Sequence, residues 1–154
     1  VSPGFKANLS DVLAAIALVQ LDRVEEHARI RARQFALYDD GLAGLEGVTP
    51  LARDERDTHA YHLYVVRIDA ARAGATRDDY QRALAGELIA TSIHFLPVHQ
   101  LTWFRDRYPL RAPLPVAERA GQEVLSLPLS PAHSDDDILD AVEALRRVHE
   151  RFSA

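Results

Sequence analysis

The sequence predicts an α/β fold in which one long N-terminal helix leads into a small sheet covered by helices. Three observations carry that prediction. The stretch Gly4 to Tyr38 reads as a short loop feeding a single helix. Three short segments, Tyr61 to Ile68, Thr91 to Phe95 and Leu125 to Leu129, alternate apolar and polar residues or concentrate β-branched and aromatic ones, as strands do. Between and after them, Tyr80, Ala83, Leu84 and Leu88, and then Ile138, Val142, Leu145 and His149 or Phe152, recur at helical spacing.

Ser10 suits the N-cap of the long helix, since its hydroxyl oxygen can accept from a backbone N–H two or three residues on. Asp11 then places negative charge where the helix dipole favours it. Val12 to Val19 is apolar on every face, whereas Asp22 to Arg33 is charged and keeps only Val24, Ala28 and Ile30 for packing. A helix from Asp11 to Tyr38 is about 42 Å long at 1.5 Å per residue. A compact chain of this length has a radius of gyration of about 15 Å, so such a helix spans the whole globule. Val12, Leu13, Ile16, Leu18 and Val19 are each worth about 1.5–3 kcal/mol when buried. All-round apolarity calls for all-round burial. The expectation is that protein outside these 154 residues covers this helix, either a missing domain or a second subunit. The alternative is a helix central to its own fold.

After the helix, Gly41, Gly44, Gly47 and Pro50 break the pattern, and Leu51 to Thr58 reads as a charged connector. On the first strand, Tyr61, Leu63 and Val65 share one face, with His62, Tyr64, Val66 and Ile68 on the other. Thr76 with Asp79 forms a capping-box pattern ahead of the Tyr80 helix. Pro97 ends the second strand, and Val98 to Pro115 is irregular with a helical turn around Trp103 to Arg107. Pro115 opens a helix over Val116 to Glu123, and Pro128 argues that the third strand is a sheet edge. Ser134 and three following aspartates start the last helix. Helices on one face of the sheet complete the picture, with strand direction left open by periodicity.

Composition bounds the function. The chain is 47% hydrophobic and 27% charged, enough for one globular domain. A net charge of −5 supplies no global basic field for a nucleic-acid backbone. The absence of cysteine removes disulfide and thiolate chemistry and makes the cytoplasm the expected compartment. No apolar run approaches a membrane span of about 20 residues. The chain starts at Val1 and has no methionine, which reads as truncation of a longer product. Lys6 is its only lysine, hence its only side-chain amine for a Schiff base.

Among seven histidines, His59 and His62 fall three apart at a strand boundary, and His94 and His99 flank Pro97. Neither pair has the carboxylate or cysteine spacing of known zinc patterns, so no metal site is expected. His94, between apolar neighbours at a strand end, reads either as a polar group aimed into a cleft or as a hydrogen-bonded structural histidine. Lys6 and Asn8 lie just before a helix N-terminus, where free N–H groups favour an anion. Asp135 to Asp137 are accounted for by the helix start.

Gly4-Phe-Lys-Ala-Asn-Leu-Ser-Asp11 with the apolar helix, His59-Ala-Tyr-His-Leu-Tyr-Val-Val-Arg67, Ile93-His-Phe-Leu-Pro-Val-His99 and Leu125-Ser-Leu-Pro-Leu129 together resemble the C-terminal part of the DegT/DnrJ/StrS family of PLP-dependent nucleotide-sugar aminotransferases. The resemblance runs in order over nearly the whole chain. It implies an aspartate-aminotransferase-like enzyme, working as a homodimer, whose large domain holds PLP on a lysine upstream of Gly4. Residues 1–45 would then be a loop and interdomain or dimer-interface helix. Residues 46–154 would form a small, mostly antiparallel three-stranded α/β domain, with the large PLP-binding domain absent. It further implies that Asn8 reaches the phosphate of the neighbouring subunit's PLP, that His94 and His99 border the substrate pocket, and that Lys6 touches the substrate. Lys6 does not match the Schiff-base position. The implied reaction moves an amino group from a donor such as glutamate to a keto-sugar nucleotide, and this chain alone is expected to be inert. Leu88-Ile-Ala-Thr91 departs from the family's Gly-Ile-Gly-Thr turn. A PMP-dependent sugar dehydratase of the same family and a stand-alone interaction module remain open alternatives.

Overall fold

A computed structural model describes residues 9–54, 56–108 and 112–153, and in it the leading helix is two helices rather than one. α1 spans Asp11–Leu21 and α2 spans Val24–Leu42, extending past the expected end at Tyr38. Ser10 caps α1 as expected, its hydroxyl accepting from Leu13 N at 3.4 Å. At the break, Arg23 takes φ −103° and ψ 2°, and its N–H bonds back to Gln20 O at 3.1 Å, a tight three-residue return. Glu25 and Glu26 then occupy the first turn of α2. A second helix start, with the charges its dipole favours, is thus embedded in what reads as one period. α1 buries no residue, whereas α2 buries Gln34, Phe35, Tyr38 and Leu42.

The sheet has three strands, β1 (Val48–Pro50), β2 (Tyr64–Ile68) and β3 (Val124–Leu127), antiparallel and in spatial order β1-β2-β3. Val48 faces Ile68, Val66 faces Leu125 and Tyr64 faces Leu127. Two strand expectations are corrected. Thr91 to Phe95 is not a strand but a single bridge, in which Ser92 and Ser126 exchange backbone hydrogen bonds of 3.1 and 2.8 Å. Its apolar residues do not share a buried face, Phe95 being 74% exposed, so nothing drives a longer ladder. Val48–Pro50 lies inside the segment read as a break, because three residues carry too little alternation to be seen. Pro128 follows β3 directly, consistent with the edge reading, since β3 has only Ser92 on its outer side.

Tyr64, Val66 and Ile68 point into the core with Leu125 and Leu127. Tyr38 stacks on Tyr64 with ring centroids 4.5 Å apart. Above this layer lie α3 (Ala70–Ala73), α4 (Arg77–Gly86) and α7 (Asp135–Ser153), the last packing against α2, α3 and α4. The Thr76–Asp79 capping box is formed in both directions. α4 stops at Gly86, and Leu88, with φ 64°, is 93% exposed rather than on the face of Tyr80 and Leu84. α7 starts on a reciprocal pair, Ser134 N donating to Asp137 Oδ2 at 2.7 Å and Asp137 N to Ser134 Oγ at 3.1 Å. Ile138, Val142, Leu145 and His149 all bury as their spacing requires.

The irregular region contains a 3₁₀ turn at Val98–Gln100, then α5 (Thr102–Arg107) and α6 (Pro115–Glu123). α6 contacts β2 from the opposite face to the core, where Arg67 Nε donates to Glu123 Oε2 at 2.8 Å. Helices therefore cover both sides of the sheet, not one. Among the described residues no helix is long and apolar enough to cross a membrane.

Candidate functional site

The outer edge of β3 and the strap from Thr91 to Leu101 form the candidate site. Ser92 pins the strap to β3 through the backbone. Two residues on, the half-buried His94 brings Nδ1 within 2.9 Å of Ser126 Oγ, so the strap is tied to the same β3 residue a second time. Pro97 then turns the chain over α6. A Cβ placed on Gly121 of α6 would sit 2.5 Å from Pro97 Cδ, so glycine is what allows the strap and helix to approach so closely. That approach sets His99 against α6, its Nε2 3.5 Å from Glu118 Oε1. The contact is too long for a strong hydrogen bond, and Nε2 is buried with no other partner among the described residues.

The two histidines singled out by sequence thus stand on one strap but on different neighbours, His94 on β3 and His99 on α6. No hydrogen bond joins them. Ser126 and Glu118 have no signal in the sequence, because a serine in a strand and a glutamate on a helix carry no motif of their own. Asn8 and Lys6 lie outside the described residues. His59 accepts from Tyr61 N at 3.0 Å, and both His59 and His62 are exposed. Among the described residues no three histidine or carboxylate groups gather as metal ligands.

The loop behind β3 is anchored from α2. Gln34 Nε2 donates to Ser130 O at 2.9 Å and to His133 O at 3.0 Å, while Tyr38 OH donates to Pro128 O at 2.7 Å. Burial raises the phenols of Tyr38 and Tyr64, with Asp39 beside Tyr64 adding to the effect, and pushes Tyr80 up to about 12. These three tyrosines therefore stay neutral and act as hydrogen-bonding pieces of the core rather than as bases.

Large apolar side chains surround this scaffold without cover. On and beside α1, Leu9, Val12, Ile16, Leu18, Val19 and Leu21 are 55–75% exposed, and on the strap Phe95 is 74% and Val98 57% exposed. Contiguous exposed patches of this kind mark surfaces that meet other protein or ligand. Near the strap, a cleft is lined by Arg67, Pro115, Val116, Arg119 and Ala120. A PLP site needs a lysine for the Schiff base and donors for a phosphate. The sole lysine is Lys6, so the described residues do not make a PLP site by themselves.

The profile of the DegT/DnrJ/EryC1/StrS aminotransferase family matches residues 1–146. The chain is 38% identical over 150 residues to the spore coat polysaccharide biosynthesis protein SpsC of Bacillus subtilis (strain 168), covering 96% of this chain but 38% of that protein. The fold superposes on DesI, solved in the presence of its TDP-sugar product, with a TM-score of 0.86 and 34% identity, over 94% of this chain and 37% of DesI. It superposes similarly on Spr1654 of Streptococcus pneumoniae, solved in PLP and PMP forms, with a TM-score of 0.83 and 29% identity, over 99% of this chain and 38% of that one. The chain therefore spans less than two fifths of the length of these relatives. With four sequence motifs, the antiparallel sheet and the helix order all in agreement, the chain belongs to the DegT/DnrJ/EryC1/StrS aminotransferase family.

Proposed function

We propose that these residues are the C-terminal part of a PLP-dependent aminotransferase that moves an amino group from an amino-acid donor, glutamate, to a keto-sugar nucleotide. The match to the aminotransferase family over residues 1–146 carries this reading. DesI, whose structure was solved with a TDP-sugar product, supports the substrate class. PLP and PMP forms of Spr1654 support the cofactor.

In this reading PLP supplies the electron sink, and its lysine lies N-terminal to Gly4. The present chain contributes binding and shape. Asn8 reaches the phosphate of the cofactor in the neighbouring subunit. His94 and His99 border the sugar-nucleotide pocket from the strap, and Lys6 meets the negative side of the substrate. α1 lies in the dimer contact, which removes its apolar faces from water. Residues 1–45 accordingly link and dimerise, and residues 46–154 close the pocket, in a cytoplasmic enzyme.

The test compares the 154-residue chain with the same chain extended through its upstream reading frame. Each is incubated with PLP, glutamate and a TDP-keto-sugar, and 2-oxoglutarate is measured. The extended protein should turn over and the 154-residue chain should not. Turnover by the short chain, or none by the long one with glutamate or any other amino-acid donor, would overturn the proposal.

A further inference from the structure

Ser126 is 4% exposed, and among the described residues its hydroxyl has one side-chain partner, His94 Nδ1 at 2.9 Å. The backbone on either side leaves this pair little freedom. Ser126 sits in the middle of β3, opposite Val65 of β2, and its own N–H and C=O are both taken by Ser92. His94 follows Ser92 by two residues, so the imidazole returns to the strand from which its backbone is hung.

The direction of the Ser126–His94 hydrogen bond decides what His94 can do. A buried hydroxyl proton with no acceptor is costly, and Nδ1 is the acceptor within reach among the described residues. Oγ–H therefore donates to Nδ1. A neutral imidazole that accepts at Nδ1 carries its proton on Nε2. Among the described residues Nε2 of His94 has no hydrogen-bond partner.

We propose that Ser126 is a positioning residue that fixes the tautomer and orientation of His94, so that His94 meets the substrate as an Nε2–H donor to an oxygen atom and not as a general base. The substrate half of this statement rests on the sugar-nucleotide reading above; the Ser126–His94 half does not. A histidine held the other way, with Nδ1–H donating to Ser126, would present a lone pair at Nε2 and could take a proton. The two arrangements have the same heavy-atom geometry and opposite chemistry.

Long-range proton–nitrogen correlation spectra of the ¹⁵N-histidine-labelled chain read the tautomer directly, with H94Q identifying the His94 signals. The expected spectrum has Nδ1 unprotonated and Nε2 protonated. In S126A that bias should relax towards a mixture, and S126T, which keeps the hydroxyl, should restore it. Protonated Nδ1 in the wild-type chain overturns the proposal without any variant, so a misfolded S126A leaves it testable. An unchanged tautomer in folded S126A also overturns it. In the extended enzyme, S126A should raise KM for the sugar nucleotide about five- to tenfold, the scale of one neutral hydrogen bond, with a smaller change in kcat and recovery in S126T. The expected tautomer with an unmoved KM would refute the substrate contact while leaving the serine–histidine pair intact.

Discussion

The exposed faces of α1 make the proposed dimer contact measurable. Consider replacing Ile16 and Val19, which are 55% and 60% exposed, with serine. Serine ranks beside isoleucine and valine in helix propensity, so α1 itself should be indifferent. Neither side chain belongs to the core, so the melting temperature of the 154-residue chain should hold, with ΔΔG within about 0.5 kcal/mol. Association is another matter. Full burial of such a side chain is worth about 1.5–3 kcal/mol, and a little over half remains to be covered, leaving about 1–1.5 kcal/mol each. In a two-fold dimer every substitution counts twice, so the pair should weaken dimerisation by about 4–6 kcal/mol. That is about three to four orders of magnitude in Kd. Sedimentation velocity over a concentration series of the extended protein reads this directly. An unchanged Kd with a lowered melting temperature would place α1 against its own chain and refute the dimer reading.

Three further outcomes follow from the packing. Gly121→Ala gains helix propensity but drives a methyl into the Pro97 ring, so it should cost about 1–3 kcal/mol in urea denaturation and, in the extended enzyme, raise KM for the proposed sugar nucleotide by displacing the strap. Gln34→Ala leaves the carbonyls of Ser130 and His133 without their donor and should lower stability by about 1–3 kcal/mol, read as a shift in urea midpoint at unchanged m-value. Acid should destabilise the chain partly through its helix starts. The hydroxyl and backbone N–H of Ser134 hold Asp137 below its usual value of 3.8, and Thr76 does the same for Asp79. Because their folded pKa lies below the unfolded one, this contribution is complete above about pH 4 and lost as pH falls through the depressed value. Asp137→Asn should flatten the stability profile on the acid side, and a slope equal to wild type would refute the capping argument.

How much of this was legible in the sequence depended on whether a residue's role is local. Ser10, Thr76 with Asp79, and Ser134 with Asp137 each bond within three residues, and each is where the pattern places it. The buried stripe of α7 is likewise written in one helical period. What failed was non-local. Thr91 to Phe95 alternates as a strand should, yet only Ser92 pairs, because a ladder needs a partner edge and a face to bury, and neither is encoded in five residues. β1 exists because β2 lies beside it. The helix break at Arg23 lies where no glycine or proline interrupts the run, and its only local signal is the two glutamates opening α2. In the candidate site, His94 and His99 fall on one strap, as their spacing around Pro97 requires. Ser126 and Glu118 became visible only when folding set β3 and α6 beside it.

The same arrangement connects the apolar helix to the candidate site through one short run of chain. α1 leads directly into α2, and from α2 Gln34 and Tyr38 grip three carbonyls of the segment Pro128 to His133. That segment continues β3, whose Ser126 holds His94. Gln34, Tyr38 and Ser126 are buried and their partners half-buried, so losing one of these hydrogen bonds leaves a buried side chain poorly paired and the alternative arrangement is costly. A shift of α2 on its bed would be resisted by, and transmitted to, the end of β3 nearest His94. Tyr38→Phe separates this from simple packing, because it removes the hydrogen bond to Pro128 and keeps the stacked ring. If the path matters, the tautomer signal of His94 should broaden in that variant while the core stays folded. An unperturbed His94 would show that the sheet alone fixes Ser126.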